Sequence, residues 1–181
     1  MGADPYQRLG AKTQFSSAAA EALYRAKLAE AGVTVPLGQP LESVEMKGNR
    51  IISATFETGL TIKDAIFIDA TYEGDPMAAA NVSYTVGHEQ RGTYDVSLAG
   101  QWQTVSSRSI VPKKAECENL LVPLSLSASH VAFGSIRMEP VFMILGQSAG
   151  TSAIAIAGKQ AVQDVSYERL KELLLKQGQE L

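Results

Sequence analysis

Stretches in which apolar and polar residues alternate predict most of the strands in this chain. The alternation is clearest in Leu41–Met46 and Arg50–Phe56, and Lys47-Gly48-Asn49 between them is a good hairpin turn. Thr61–Ile68 follows after a second turn and ends as a nearly continuous apolar run, which is typical of a buried strand. The short run Val33–Val35 also predicts a strand. The pattern therefore predicts a three-stranded antiparallel meander with a short strand before it.

Apolar residues at helical spacing predict three helices. The first is Ser16–Ala31, with a serine at its start and Gly32 where a left-handed C-terminal cap is expected. A long helix of small and apolar residues covers about Glu139–Lys159, and the last helix, Tyr167–Gln177, has Ser166 as its cap. Because helices and strands interleave, we predict an α/β fold: a partial FAD/NAD(P)-binding-like fold with a central sheet, the meander and packed helices.

The length of the chain predicts one domain, and its composition predicts which segments are irregular. A chain of 181 residues can bury a real core. Residues 1–14 are polar and aperiodic, so we predict a poorly structured N-terminal segment there and a single domain over residues 15–181. Residues 79–116 are rich in glycine, serine and scattered aromatic residues, which predicts loops with short strands.

Composition and charge exclude several classes of function. The net charge is −3 and no cluster of Lys and Arg stands out, which argues against a nucleic-acid partner. The two histidines and one cysteine cannot form a zinc cluster or a disulfide framework. The sequence has no signal peptide pattern and no apolar run of transmembrane length, so our default expectation is a cytoplasmic location.

The segment before the long helix combines the features of a ligand site. Leu120–Leu126 is an apolar run that suits a buried strand, Ser127–Arg137 reads as a polar loop, and Glu139 then opens the helix. Unpaired N–H groups and a positive dipole mark a helix start. This order predicts a site for an anionic or electron-accepting group.

A second motif, FIDATYEGD, covers Phe67–Asp75. Small residues at a strand end let the backbone approach a ligand at the carboxyl edge of a sheet, and Asp75 can accept hydrogen bonds there. The alternative is a strand end followed by an ordinary polar turn. We keep both interpretations.

Three further features have competing explanations. His130 can titrate near neutrality, but a lone histidine beside an apolar run is often a structural hydrogen-bonding residue. Ser129, His130 and Asp69 could form a hydrolase triad, although the sequence has no nucleophile elbow. Gly146 and Gly150 lie inside the long helix, where they predict close packing, most simply against the sheet, or the close approach of a ligand.

Three segments together resemble a known family. FIDATYEGDPMAAANVSYTVGHEQ, ECENLLVPLSLSASHVAFGSIRMEP and VFMILGQSAGTSAIAIA are similar to FAD-dependent oxidoreductases of the xanthan-lyase-associated type, which have a glutathione-reductase-like FAD fold. The resemblance runs from about Phe15 to the C-terminus. It implies FAD as cofactor and hydride transfer to or from FAD as the parental chemistry.

The resemblance also implies roles for individual residues. It places the Ser127–Arg137 segment beside the flavin ring and directs the helix start at the pyrimidine end of that ring. The implied cofactor-binding residues are Leu41, Ala70, Thr71, Asp75, Ser135, Ile136, Glu139 and Pro140. The implied catalytic residues are Ser129, His130 and Arg137.

Two departures from the family pattern shape the functional hypotheses. The sequence has no G-x-G-x-x-G fingerprint after a strand, and only Gln101–Ser106 stands where relatives carry a long substrate-domain insertion. The chain therefore resembles a fragment or shortened form of a flavin-dependent oxidoreductase that acts on an unknown small molecule. The alternative is a non-catalytic α/β remnant without cofactor, which forms a homodimer through an exposed sheet edge or needs a partner chain.

Overall fold

The computed structural model of the chain describes residues 16–87, 106–156 and 160–179. The predicted N-terminal segment, residues 1–14, lies outside these ranges, as do residues 88–105 of the predicted loop-rich stretch. The chain divides into two compact units, Met1–Gln39 and Pro40–Leu181. Each unit is described by itself.

The described part of the first unit is the predicted helix and the segment after it. Helix α1 is Ser17–Glu30, and Gly32 has a φ of 65°, as expected for the end of a helix. The strand predicted at Val33–Val35 is wrong, because those residues have no regular structure and both valines are about half exposed. A three-residue β-branched run forms a strand only when another strand pairs with its backbone, and no strand among the described residues does so.

The predicted antiparallel meander is confirmed. Strand β1 is Leu41–Lys47, β2 is Arg50–Phe56 and β3 is Thr61–Ile62, in the order β1-β2-β3. Gly48 has a φ of 62° in the tight turn between β1 and β2, a conformation that glycine adopts without strain. The hairpin register is therefore set by local sequence.

The predicted strand Thr61–Ile68 divides into β3 and a separate strand, β4, at Phe67–Ile68. The chain turns between them, where the Asp64 carboxylate accepts a hydrogen bond from the Ala65 N–H at 2.6 Å. The Ala65 carbonyl then accepts from the Asn119 side chain at 3.0 Å instead of from a neighbouring strand. A short polar side chain that bonds its own backbone competes with the strand ladder and ends it.

Strand β5 is Leu120–Leu121 and runs parallel to β4. The prediction that this strand extends to Leu126 is wrong. Val122 donates its N–H to the Ile110 carbonyl at 2.8 Å, outside any strand, and Pro123 has no N–H to donate. Val122, Pro123 and Leu126 are buried although the strand has ended. The apolar run in the sequence therefore indicated burial and not a longer strand.

The remaining elements are helical, and the loop predicted at Ser127–Arg137 is wrong over most of its length. Ser129 caps a helix there, and Phe133 and Ile136 turn one side of it toward the core. The long and C-terminal helices are confirmed, although residues 157–159 at the predicted end of the long one are outside the described ranges. The helices are α2 Asp75–Ala79, α3 His130–Ile136, α4 Glu139–Ile156 and α5 Tyr167–Lys176, with 3-10 helices at Ser107–Ile110 and Val162–Asp164.

Asn119 joins the two sheets. Its side-chain oxygen accepts from the Ile51 N–H at 2.9 Å, and its amide group donates to the Ile51 carbonyl at 2.8 Å. With the further bond to Ala65, this buried side chain replaces the backbone of a strand between β2 and β5. The α/β fold class is therefore confirmed. Hydrogen bonds of the Asn119 side chain connect the meander to the parallel strand pair.

The packing predicted for Gly146 and Gly150 is not observed. A Cβ atom added at either position would have no neighbour within 4 Å. The buried residues of α4 are instead Leu145, Ala149, Thr151, Ser152 and Ile156. The two glycines are partly buried, and no other element of the described residues packs closely on them.

Candidate functional site

The carboxyl end of β4 leads into a turn that Asp69 organises. Asp69 is buried, and its carboxylate accepts from the Thr71 N–H at 3.0 Å, from the Thr71 hydroxyl at 2.7 Å and from the Met77 N–H at 3.0 Å. Met77 is in the first turn of α2, so the carboxylate caps that helix from a distance. Asp69 therefore has a structural task.

Thr71 completes this cap. Its hydroxyl oxygen accepts from the N–H groups of Gly74 at 2.9 Å and Asp75 at 3.2 Å. Of the predicted cofactor-binding residues in the turn, Thr71 thus has its hydroxyl engaged within the protein, while Ala70 and Asp75 are exposed. The polar-turn interpretation of FIDATYEGD accounts for most of its residues.

The ends of β4 and β5 meet at Gly74. This glycine has a φ of 74°, and a Cβ atom placed on it would lie 3.3 Å from the Ser125 hydroxyl oxygen. A larger residue would therefore be strained and crowded. The contact brings the turn after β4 against the segment after β5.

A cavity of 740 Å³ opens beside this contact. Its volume is in the usual range for small-molecule sites, about 300–1,000 Å³. Apolar side chains of the hydrophobic clusters, among them Met77, Val122 and Phe133, form one part of the wall. The polar wall contains hydroxyl groups and four ionisable side chains, one of which is a tyrosine: Glu73, Ser83, Tyr84, Thr85, Ser109, Lys113, Ser125, Ser127 and His130.

Of the three predicted catalytic residues, His130 alone lines this cavity. It is the first residue of α3 and is exposed. Ser129 precedes it, and its hydroxyl oxygen accepts from the Ala132 N–H at 3.1 Å, so that this hydroxyl caps the helix. The cap fixes the backbone from which the imidazole projects.

Glu116 holds one wall of the cavity in place. Its carboxylate accepts from the Ser83 N–H at 2.9 Å and from the Ser83 hydroxyl at 2.7 Å, and it forms an ion pair with Lys113 at 3.1 Å. The bonds from Ser83 are the main reason that the pKa of Glu116 is lowered, and Lys113 adds to the effect. Segments 82–87 and 109–113 are thereby tied together along the cavity.

The start of α4 lies outside the lining of the cavity. Glu139 accepts from the Tyr72 hydroxyl at 3.2 Å, which connects the turn after β4 to this helix start. The negative charge of Glu139 raises the pKa of Tyr72. Arg137 and Pro140 are exposed, and neither lines the cavity. The structure therefore places these three residues outside the cavity that His130 lines.

The other predicted cofactor-binding residues are dispersed. Ile136 is buried in the hydrophobic core, Ser135 is its neighbour in α3, and Leu41 begins β1 opposite Phe56. Neither Ile136 nor Leu41 lines the 740 Å³ cavity. Sequence reasoning missed Ser125, Glu73 and Lys113, and the one usable signal was the repeated serine in SLSAS after the buried strand.

Several other chemistries lack support among the described residues. No group of three or more His, Cys, Asp or Glu side chains there could hold a metal ion. Cys117 is fully buried, and burial raises the pKa of its thiol, which opposes a nucleophilic role. The proposed triad would need Asp69, whose carboxylate already holds three donors of its own turn. In residues 16–87, 106–156 and 160–179 we find no helix that is long and apolar enough to cross a membrane.

Comparison with protein families gives a direct match. A family model described as FAD dependent oxidoreductase matches residues 2–101 and residues 88–174. The chain belongs to the FAD-dependent oxidoreductase family. Comparisons with curated proteins and with solved structures found no match. Together with the observed sheets and helices, the family identifies the mixed α/β structure as a partial FAD-binding fold.

The described residues suit one half of the cofactor that this family uses. The cavity offers apolar walls and hydroxyl donors, which are the partners that a planar ring with polar edges needs. A pyrophosphate group needs free backbone N–H groups at a helix start. At α2 those groups are taken by Thr71 and Asp69, and at α3 Ser129 caps the helix start. The cavity walls therefore suit the ring, while at the starts of α2 and α3 side-chain oxygens of the chain itself already accept from N–H groups.

Proposed function

We propose that the chain is a fragment or shortened form of a flavin-dependent oxidoreductase whose parental chemistry is hydride transfer to or from FAD. The observation that carries this proposal is the cavity at the carboxyl ends of β4 and β5 in a member of the FAD-dependent oxidoreductase family. Open α/β sheets bind their ligands at this edge. When bound, the flavin ring supplies the hydride-transfer chemistry.

The family match supports the shortened form. The model matches in two stretches that overlap at residues 88–101, as expected when two separate parts of a longer family pattern have become neighbours. The sequence also lacks the glycine fingerprint that would cradle the pyrophosphate. We propose that this chain provides the ring half of the site.

His130 is the residue that we propose for proton transfer or for orienting the substrate, because its imidazole is in the cavity wall. The hydroxyl groups of Ser125 and Ser127 would hold the polar edge of the ring. Ser129 is then a positioning residue, because its hydroxyl fixes the start of α3. Arg137 would add positive charge near the start of α4.

The ring-half proposal makes a sharp binding test possible. Riboflavin has the ring without the phosphates, so we expect riboflavin and FAD to bind with affinities within about threefold of each other. The dissociation constants should be on the order of 100 µM, as for a ligand anchored by its ring alone. Quenching of flavin fluorescence during titration measures both.

Two variants locate the binding. Ser127→Phe fills the cavity from an exposed position and should abolish quenching by either flavin. Lys171→Ala is an exposed change on α5 and should leave both titrations unchanged. Binding of FAD without binding of riboflavin would contradict the ring-half assignment. If neither flavin quenches, the flavin proposal itself fails.

A second candidate function rests on the open edge of β4. The N–H groups of Phe67 and Asp69 donate toward β5 at 2.9 Å and 2.8 Å, so the backbone groups of Ile68 between them point to the opposite side. No strand among the described residues pairs on that side. We propose, as this alternative, a non-catalytic remnant that forms a homodimer by strand pairing.

Light scattering on the eluted protein tests the alternative. Ile68→Pro removes the outward N–H without removing a bond to β5, because proline is tolerated on the free side of an edge strand. It should convert a dimer to a monomer. Thr61→Val in the meander is the control and should leave the mass unchanged. A monomeric wild-type chain would rule out this alternative.

A further inference from the structure

We propose that a second, smaller cavity binds a small carboxylic acid that also carries a hydroxyl or N–H donor. This cavity has a volume of 230 Å³ and lies beside α5 and the 3-10 helix Val162–Asp164. None of the residues implied to bind FAD or to act in catalysis lines it. The proposal therefore stands whether or not the chain binds a flavin.

Gln163, one of the residues that line this cavity, has a fixed acceptor without a donor. The side-chain nitrogen of Gln163 donates to the carbonyls of Pro112 at 2.9 Å and Cys117 at 2.8 Å. Turning the amide over would face its oxygen with two carbonyl oxygens, so the orientation is determined. The oxygen Oε1 is then buried with no hydrogen-bond partner. An unmet buried acceptor is costly, and a ligand donor would remove that cost.

Apart from Ser152, whose buried hydroxyl donates to the Ser148 carbonyl at 2.8 Å, the rest of the inner wall is aliphatic. A buried water molecule needs two to four polar partners, and such a wall provides few of them. An apolar body with one donor fits it better than a group of water molecules. The aliphatic residues are Ile110, Val111, Leu121, Val162, Val165 and Leu170.

The mouth of the cavity carries a positive charge. Arg108 and Tyr167 are the exposed residues of the lining, so we place the opening beside them. Within the part of the chain that the structure describes, the Arg108 guanidinium forms no ion pair. Guanidinium groups bind carboxylates through two parallel hydrogen bonds. A ligand would thus place its carboxylate at Arg108 and its donor at Gln163.

A series of three small probes separates these two contacts. 4-Hydroxybenzoate has the carboxylate and the donor, benzoate lacks the donor, and phenol lacks the carboxylate. Titration of the full chain, followed by amide resonances in two-dimensional NMR, should give a dissociation constant of about 1 mM or tighter for 4-hydroxybenzoate. Benzoate and phenol should each bind about tenfold more weakly, with shifts centred on the side-chain amide of Gln163.

Two variants test the location. Arg108→Gln removes the charge at an exposed position and should reduce the affinity for 4-hydroxybenzoate about tenfold while leaving phenol unaffected. Val165→Phe fills the cavity and should abolish binding of all three probes. The proposal is overturned if no probe gives a saturable shift at about 10 mM. Equal affinity for benzoate and 4-hydroxybenzoate, or binding that Arg108→Gln does not change, would also overturn it. If Val165→Phe does not fold, the probe series and Arg108→Gln still decide.

Discussion

The antiparallel meander and the parallel strand pair are held together in different ways. Between β1 and β2 the backbone pairing runs from Leu41–Phe56 to Lys47–Arg50, next to a two-residue turn, with register shifts at Leu41/Ser43 and Glu45/Met46. Strands β4 and β5 have two residues each, and buried polar side chains supply what the short ladder cannot: Asn119 on one side and Asp69 on the other. The pairing of β4 with β5 therefore depends on hydrogen bonds of single side chains, whereas the pairing of β1 with β2 depends on backbone hydrogen bonds.

Asn119→Leu should have the largest effect. The substitution leaves the buried N–H and carbonyl of Ile51 without these partners, and the Ala65 carbonyl keeps only its longer bond from the Arg50 guanidinium at 3.3 Å. We expect the free energy of unfolding in urea to fall by about 4 kcal/mol. Thr61→Val removes an exposed hydroxyl of the meander, 3.3 Å from that of Thr55, and should change stability by less than about 0.5 kcal/mol. Equal losses of unfolding free energy in the two variants would show that the meander and the parallel strand pair do not differ in this way.

Asp69→Ala should have an intermediate effect. It removes the acceptor for Thr71 and for the Met77 N–H at the start of α2, and we expect a loss of about 2 kcal/mol. Hydrogen exchange should locate the damage, with faster exchange at Met77 and no change in β1 and β2. Asp64→Ala, which removes one bond to a neighbouring N–H, is the matched control. Faster exchange across the meander in Asp69→Ala would show that the two regions are not independent.

The smallest effect concerns the pH dependence of the cavity wall. Because Ser83 donates to the ionised form of Glu116, the pKa of Glu116 in the folded chain is below its unfolded value. The contact is therefore complete above the ordinary glutamate pKa of about 4.3 and is lost as the pH falls through the lower folded value. Exchange of the Ser83 amide should quicken over that range of pH. Glu116→Gln should remove this dependence and Glu57→Gln should keep it; a profile that Glu116→Gln leaves intact would assign the titration elsewhere.

Sequence reasoning succeeded where structure is set by neighbours along the chain. The hairpin at Gly48 and the helix end at Gly32 depend on residues that can adopt a positive φ. Ser166 caps α5 in the same local way, by accepting from the Arg169 N–H. Each of these features was predicted from a window of a few residues.

The candidate site could be predicted only in part, because distant residues assemble it. His130 and the serines after the buried strand were recognisable from the sequence, but Glu73 and Lys113 reach the cavity only through the fold. The predicted loop became α3 because the apolar side of a short helix could be buried, which no local rule weighs. Arg137, Glu139 and Pro140 follow that helix and do not line the cavity, so their predicted roles at the cofactor stay predictions.

The contact between Asn119 and Ile51 also has a consequence for the order of folding. The two residues are 68 positions apart, whereas the β1–β2 turn closes over two residues. Closing a longer loop costs more chain entropy, and that entropy is lost before stabilising contacts offset it. Non-local pairings therefore form late. We expect pulse-labelled exchange during refolding to protect the amides of β2 before that of Asp69. The region that carries the candidate site would then be the last to fold. On a growing chain it would stay accessible to proteases for the longest time.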